Sequence, residues 1–205
     1  QAIAAVGGEY LILRTSWVYS NHGKNFLLTM QRLLQEKPQM RIVADQIGAP
    51  TWAGSIAAAT AELIDKWQQG RHRWGTYHLN CRGETSWFGF ASAIAERLRA
   101  AGKPCARLRP IPSSAYPTPA QRPLNSRLDG ERLEQDWQVR LPDWRTMLPL
   151  AQSSPRCGAR TRSGSPCRSP AMGGKARVRM HGGASTGPRT AGADHEGPDD
   201  PRWPI

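Results

Sequence analysis

The sequence predicts an α/β fold built on a doubly wound sheet. Three observations predict it. Short apolar runs such as Leu11–Leu13 end in polar clusters, the pattern of strands buried in such a sheet. Longer stretches between them carry apolar residues at helical spacing. Glycine or proline punctuates many of the junctions.

Taken in order, residues 1–6 read as the end of a helix, closed by Gly7-Gly8, because glycine tolerates the left-handed conformation of a C-cap. Tyr10–Ser16 reads as a strand and Asn21–Gly23 as a loop. A helix is expected over Asn25–Gln35, with Phe26, Met30, Leu33 and Leu34 on one face, and Pro38 ends it. Arg41–Ala44 is a short strand, and Asp45–Thr51, DQIGAPT, a polar loop broken by Gly48 and Pro50. Ala53–Gln68 is a second helix, with Ile56, Ala59, Leu63 and Trp67 facing inward. Gly75–Leu79 is a strand. A third helix runs from an N-cap at Thr85 or Ser86 to about Ala101, with Phe90, Ile94 and Leu98 on its stripe and Gly102 after it. Arg107–Ile111 is the last strand. Residues 112–123 are too proline-rich for helix or central sheet. A short helix near Asp129–Gln135 and a final one over Leu141–Leu150, entered through Pro142, complete the α/β part. No internal repeat is expected.

Residues 1–151 form this α/β part, and residues 152–205 a basic tail. From Ser153 onward, Gly, Pro, Ser and Arg dominate and large apolar residues nearly vanish. Such a segment cannot bury enough surface to offset its ordering entropy, so disorder is the expectation there. The chain of 205 residues has a formal charge of +12. The tail carries nine Lys and Arg against four acids, and elsewhere the charge lies along helix faces. No apolar run reaches the length of about 18 residues that a spanning helix needs, so no membrane partner is expected. The four cysteines are scattered, and the first residues lack a basic signal-peptide start, so reduced thiols are expected rather than a disulfide scaffold. The first residues also read as the middle of a helix, which makes the chain look like a fragment.

Open α/β sheets bind ligands beyond the carboxyl ends of their strands. Thr15, Ser16 and Trp17 follow the first strand and sit where a ligand would be met. Trp17 and Tyr19 suit an apolar core as well.

Four separated motifs, ILRTSWVYS with GKNFLLTMQRLL, VADQIGAPT and AQRPLNSRLD, occur in order. In these the chain resembles the dTDP-4-dehydrorhamnose reductases, extended short-chain dehydrogenases with a Rossmann-like sheet. The likeness covers about residues 1–150. It implies the C-terminal part of that sheet and a small α/β substrate-binding lobe. It also implies reduction of dTDP-4-dehydro-L-rhamnose to dTDP-L-rhamnose with NADPH or NADH, in the cytoplasm, for polysaccharide synthesis. It leaves a Mg ion and a homodimer open. In the family the Trp of TSWVY lies against the sugar, here Trp17, with Thr15 and Ser16 beside it. A flat aromatic face suits the C–H face of a sugar ring. The loop and the RPLNS segment border the sugar nucleotide, which adds Asp45, Gln46, Arg122, Asn125 and Ser126; loop-capping hydrogen bonds are the equal alternative for each of these five.

The family's chemistry uses a Tyr-x-x-x-Lys pair, in which Tyr protonates the carbonyl oxygen and Lys lowers its pKa. No Tyr of this sequence has the Lys: the fourth residues after Tyr10, Tyr19, Tyr77 and Tyr116 are Arg14, Gly23, Cys81 and Ala120. The glycine-rich dinucleotide fingerprint is missing as well, since Gly7-Gly8 precedes a strand rather than following one. No catalytic residue is therefore assigned. The resemblance puts that pair upstream of Gln1, and this chain alone is expected not to turn over.

The tail resembles a small module with a His-Gly-Gly-x-x-Thr-Gly signature. Cys157, Cys167 and His181 stand at ligand positions of that module, but Val178 replaces a third Cys, and structural zinc normally has four ligands. A zinc knuckle contacting nucleic acid, a disordered basic tail and a fusion or frameshift product all remain open.

Overall fold

The computed structural model describes residues 2–120 and 122–153. Cys157, Cys167, His181 and the rest of the tail lie outside the described residues, as do the readings placed on them. The described part is α/β. In chain order it comprises α1 (Ala2–Ala5), β1 (Leu11–Arg14), β2 (Val18–Tyr19), α2 (Phe26–Glu36), β3 (Gln39–Val43), β4 (Ile47–Gly48), β5 (Thr51–Trp52) and α3 (Ala53–Gln68). There follow β6 (Gly75–His78), β7 (Thr85–Ser86), α4 (Trp87–Ala100), β8 (Arg107–Ile111), a 3-10 turn at Ser113–Ala115, α5 (Glu131–Trp137) and α6 (Trp144–Ser153).

The strands pair two by two. β1 runs parallel to β6, with Leu11 opposite Gly75 and Arg14 opposite His78. β2 is parallel to β5, and β3 to β8. β4 is antiparallel to β7, with Gly48 opposite Thr85. The expected doubly wound sheet is thus seen here as parallel pairs joined through helices, since a parallel partner needs a crossover. α4 packs on α2 and on the β3–β8 pair. Phe26, Leu27, Met30, Leu33 and Leu34 of α2 meet Phe90, Ile94 and Leu98 of α4 in the buried core.

The helix starts follow their caps. Asn25 Oδ1 accepts the Leu28 N–H at 3.3 Å, and its Nδ2 donates to the Ser20 and His22 carbonyls, which ties the loop to α2. Ser86, one of the two expected caps, accepts the Gly89 N–H at 3.0 Å. α1 ends at Ala5, and Gly7 just beyond it has a left-handed φ of 73°.

Several expectations need correction. Trp67 is not core; it is 43% exposed and meets Trp74 of the following loop. It sits in the last turn of α3. The DQIGAPT segment is not all loop, because Ile47–Gly48 and Thr51 enter strands. Ile47 also bonds the RPLNS segment, donating to Leu124 O and accepting from the Ser126 N–H. α5 begins two residues later than expected, where Asp129 Oδ1 accepts the Glu131 N–H. α6 starts at Trp144, not through Pro142. Residues 141–143 run extended beside Arg82, and Asp143 Oδ1 accepts the Arg145 N–H.

Candidate functional site

The parallel β1–β6 pair sends both carboxyl ends the same way, and Arg14 O accepts the Leu79 N–H just past them. Beyond β1 the chain turns sharply. Trp17 has φ 48°, a left-handed conformation that costs a bulky residue about 1–2 kcal/mol. Its carbonyl accepts the Thr51 N–H at 3.0 Å, which hands the chain to β2. Its indole lies flat on that of Trp87, with centroids 3.6 Å apart and planes 6° apart. Phe26 tilts against the Trp87 ring at 4.7 Å. On the β4 side the Trp17 ring approaches Gly48 so closely that no Cβ would fit there.

Ser16, Trp17, Gln46, Arg122 and Ser126 line one cleft of about 350 Å³ together with Phe26, Trp87 and Phe90. The three other expected residues point elsewhere. Thr15 is exposed and outside the lining. The Asp45 carboxylate accepts the N–H and hydroxyl of Ser113, which hold its pKa below the ordinary value. Asn125 Oδ1 accepts from the Arg127 N–H and Nε. For Asp45 and Asn125, the loop-capping alternative describes the contacts seen. Among the described residues the Ser16 Oγ is buried without a hydrogen-bond partner. Tyr19 is core: it is fully buried against Phe90, and burial, then Cys81, raises its phenol above the ordinary range.

Trp87 and Ser113 were not anticipated from the sequence. One signal was present. The tripeptide Thr-Ser-Trp occurs twice, at 15–17 and 85–87, and the two tryptophans are the stacked pair.

A larger cavity of about 510 Å³ opens beside His78, Asn80, Arg127, Glu134 and Arg140. Two ion pairs lie in its wall, Arg127 with Glu84 at 2.6 Å and Arg140 with Glu134 at 2.8 Å. The Trp17 cleft instead offers an aromatic platform rimmed by polar groups, the usual make-up of a small-molecule site. Among the described residues no cluster of three or more His, Cys, Asp or Glu side chains could hold a metal ion. None of their helices is long and apolar enough to cross a membrane.

The RmlD substrate binding domain description matches residues 1–154. The chain belongs to this family. Among RmlD relatives, the dTDP-4-dehydrorhamnose reductase of Burkholderia thailandensis is 49% identical over 157 residues, 73% of this chain and 53% of that protein. The Escherichia coli K12 enzyme of the same name is 42% identical over 146 residues, 70% of this chain and 49% of that protein. The crystal structure of the Bacillus anthracis dTDP-4-dehydrorhamnose reductase in complex with NADP superimposes with a TM-score of 0.63 at 32% identity. The match covers 71% of this chain and 48% of that one. The chain thus spans about half the length of the curated relatives it matches.

A dinucleotide pyrophosphate needs a glycine-rich turn between a strand end and a helix N-terminus. The described residues have no such turn, and Gly7 and Gly8 precede β1 with open space around them. They do not fit the cofactor by themselves, and no residue of this chain is assigned to it.

Proposed function

We propose that this chain is the substrate-binding part of a dTDP-4-dehydrorhamnose reductase. It holds dTDP-4-dehydro-L-rhamnose for NADPH-dependent reduction to dTDP-L-rhamnose in the cytoplasm. The observation that carries the reading is the RmlD family match over the residues that build the Trp17 cleft. The Trp17 indole supplies an apolar face for the sugar ring, and Ser126 supplies hydrogen bonds to its hydroxyls. Arg122, a permanent cation, suits the diphosphate. Residues 2–120 and 122–153 contribute binding and orientation; the hydride donor and the proton donor are not assigned to them. The free thiols Cys81 and Cys105 suit a reducing compartment.

Calorimetric titration with dTDP-L-rhamnose tests this. Saturable binding is expected, and Trp17→Ala weakens it at least about fivefold, the effect of truncating an aromatic anchor. Affinity unchanged by Trp17→Ala would remove the platform from the reading.

A further inference from the structure

A chain of directed contacts leads from the β3–β8 pair to Trp17. Ser113 donates its hydroxyl proton to Asp45 Oδ1 at 2.6 Å, and its N–H to the same carboxylate at 2.9 Å. That leaves the hydroxyl oxygen to accept Gln46 Nε2 at 3.0 Å. Gln46 is buried, 8% exposed, so its amide orientation is set by these partners rather than by water. Its Oε1 then faces Trp87 and accepts the indole N–H at 3.2 Å. Trp87 in turn lies flat on Trp17. Among the described residues the Trp17 indole makes no hydrogen bond, so packing orients it, the Trp87 stack together with the close approach to Gly48. Its own backbone, left-handed, does not favour the position it occupies.

We infer that Trp87 is a positioning residue for the sugar, acting through Trp17, with Gln46 and Ser113 fixing Trp87 in turn. This rests on the proposed function and deepens it. A platform held in one plane before the ligand arrives loses less freedom on binding. With the sugar on the platform as proposed, a nucleotide diphosphate without the sugar gains nothing from that. Asp45 and Gln46 therefore serve the site from behind.

The test titrates the full chain with dTDP-L-rhamnose and, separately, with dTDP, while circular dichroism follows the exciton couplet of the stacked indoles. Trp87→Phe is expected to melt cooperatively and to lose the couplet. It weakens dTDP-L-rhamnose by about two- to twelvefold, the factor equivalent to one aromatic pair, and leaves dTDP unchanged. Gln46→Met removes the Trp87 acceptor at similar volume, and it shifts dTDP-L-rhamnose affinity in the same direction by less. Gln46→Met decides the matter if Trp87→Phe does not fold. Unchanged dTDP-L-rhamnose affinity in the folded variants, or an equal loss for both ligands, overturns the inference. If Trp17→Ala weakens binding and Trp87→Phe does not, the functional reading stands and this inference falls. A wild-type chain that binds neither ligand overturns both.

Discussion

Replacing Gly48 by alanine should strike the cleft through one contact. A Cβ at this position would lie 2.5 Å from Trp17 Cε2, 2.7 Å from Nε1 and 2.9 Å from Cζ2. Carbon atoms rest comfortably at about 3.5–4.0 Å, so the overlap is about 1 Å. The backbone itself accepts alanine, since Gly48 has no positive φ. Either β4 shifts or the indole leaves. β4 is held by its pairing with β7 and by the Ile47 bonds to Leu124 and Ser126. Forcing an overpacked site costs about 1–3 kcal/mol. Unstacking Trp17 from Trp87 costs about 0.5–1.5 kcal/mol. The indole therefore gives way, and stability falls by about 1 kcal/mol, a Tm drop of about 2–4 °C for a domain of this size. Affinity for dTDP-L-rhamnose falls with it, as the platform is lost. A double-mutant cycle isolates the contact. With Trp17→Ala already in place, Gly48→Ala should be neutral, or slightly stabilising through the unfolded chain. Equal destabilisation in both backgrounds would refute the reasoning.

Two further outcomes follow from local conformation and charge. Gln138 caps α5 at φ 53°, so Gln138→Gly should raise stability in urea by roughly 1 kcal/mol, the cost a side chain incurs in the left-handed region; a lower midpoint would count against that strain. Asp45 has a folded-state pKa lowered first by the Ser113 hydroxyl and then by its N–H. A carboxyl shifted this way adds stability above its unfolded pKa of about 3.9, and that stability is lost as pH falls through the lower folded value. Asp45→Asn should flatten the acid limb of the stability curve below that pH, and superimposable acid limbs would sink the assignment.

Much of the fold could be read from residue patterns, and the reasons are local. α3 was legible to the residue, and the stripes of α2 and α4 carried their buried faces in plain helical spacing. β2, β4, β5 and β7 were not, because two-residue strands have no period to detect. Trp67 fits the helical stripe yet lies at the rim, since periodicity gives a face but not where the covering layer ends. In the cleft, Ser16, Trp17, Gln46, Arg122 and Ser126 gather as expected. Asp45 and Asn125 do not line it, because nearby donors from Ser113 and Arg127 take their oxygens. Trp87 looked like the first residue of an ordinary helix. Its role depends on a partner seventy positions away, brought close by tertiary packing that spacing alone does not encode.

The parallel pairs also set a timetable for folding. Among the described strands, Leu11 has no partner until Gly75 is in place, and Gln39 none until Arg107 is. Loop closure over such separations precedes any gain from contact, so folding should be slow for a chain of this size. Meanwhile the apolar β1 stays open to pairing with other molecules, an aggregation hazard that low temperature and dilution during refolding should lessen. The Trp17–Trp87 stack needs the end of β1 and the start of α4 together, so its optical signal reports when those two segments meet.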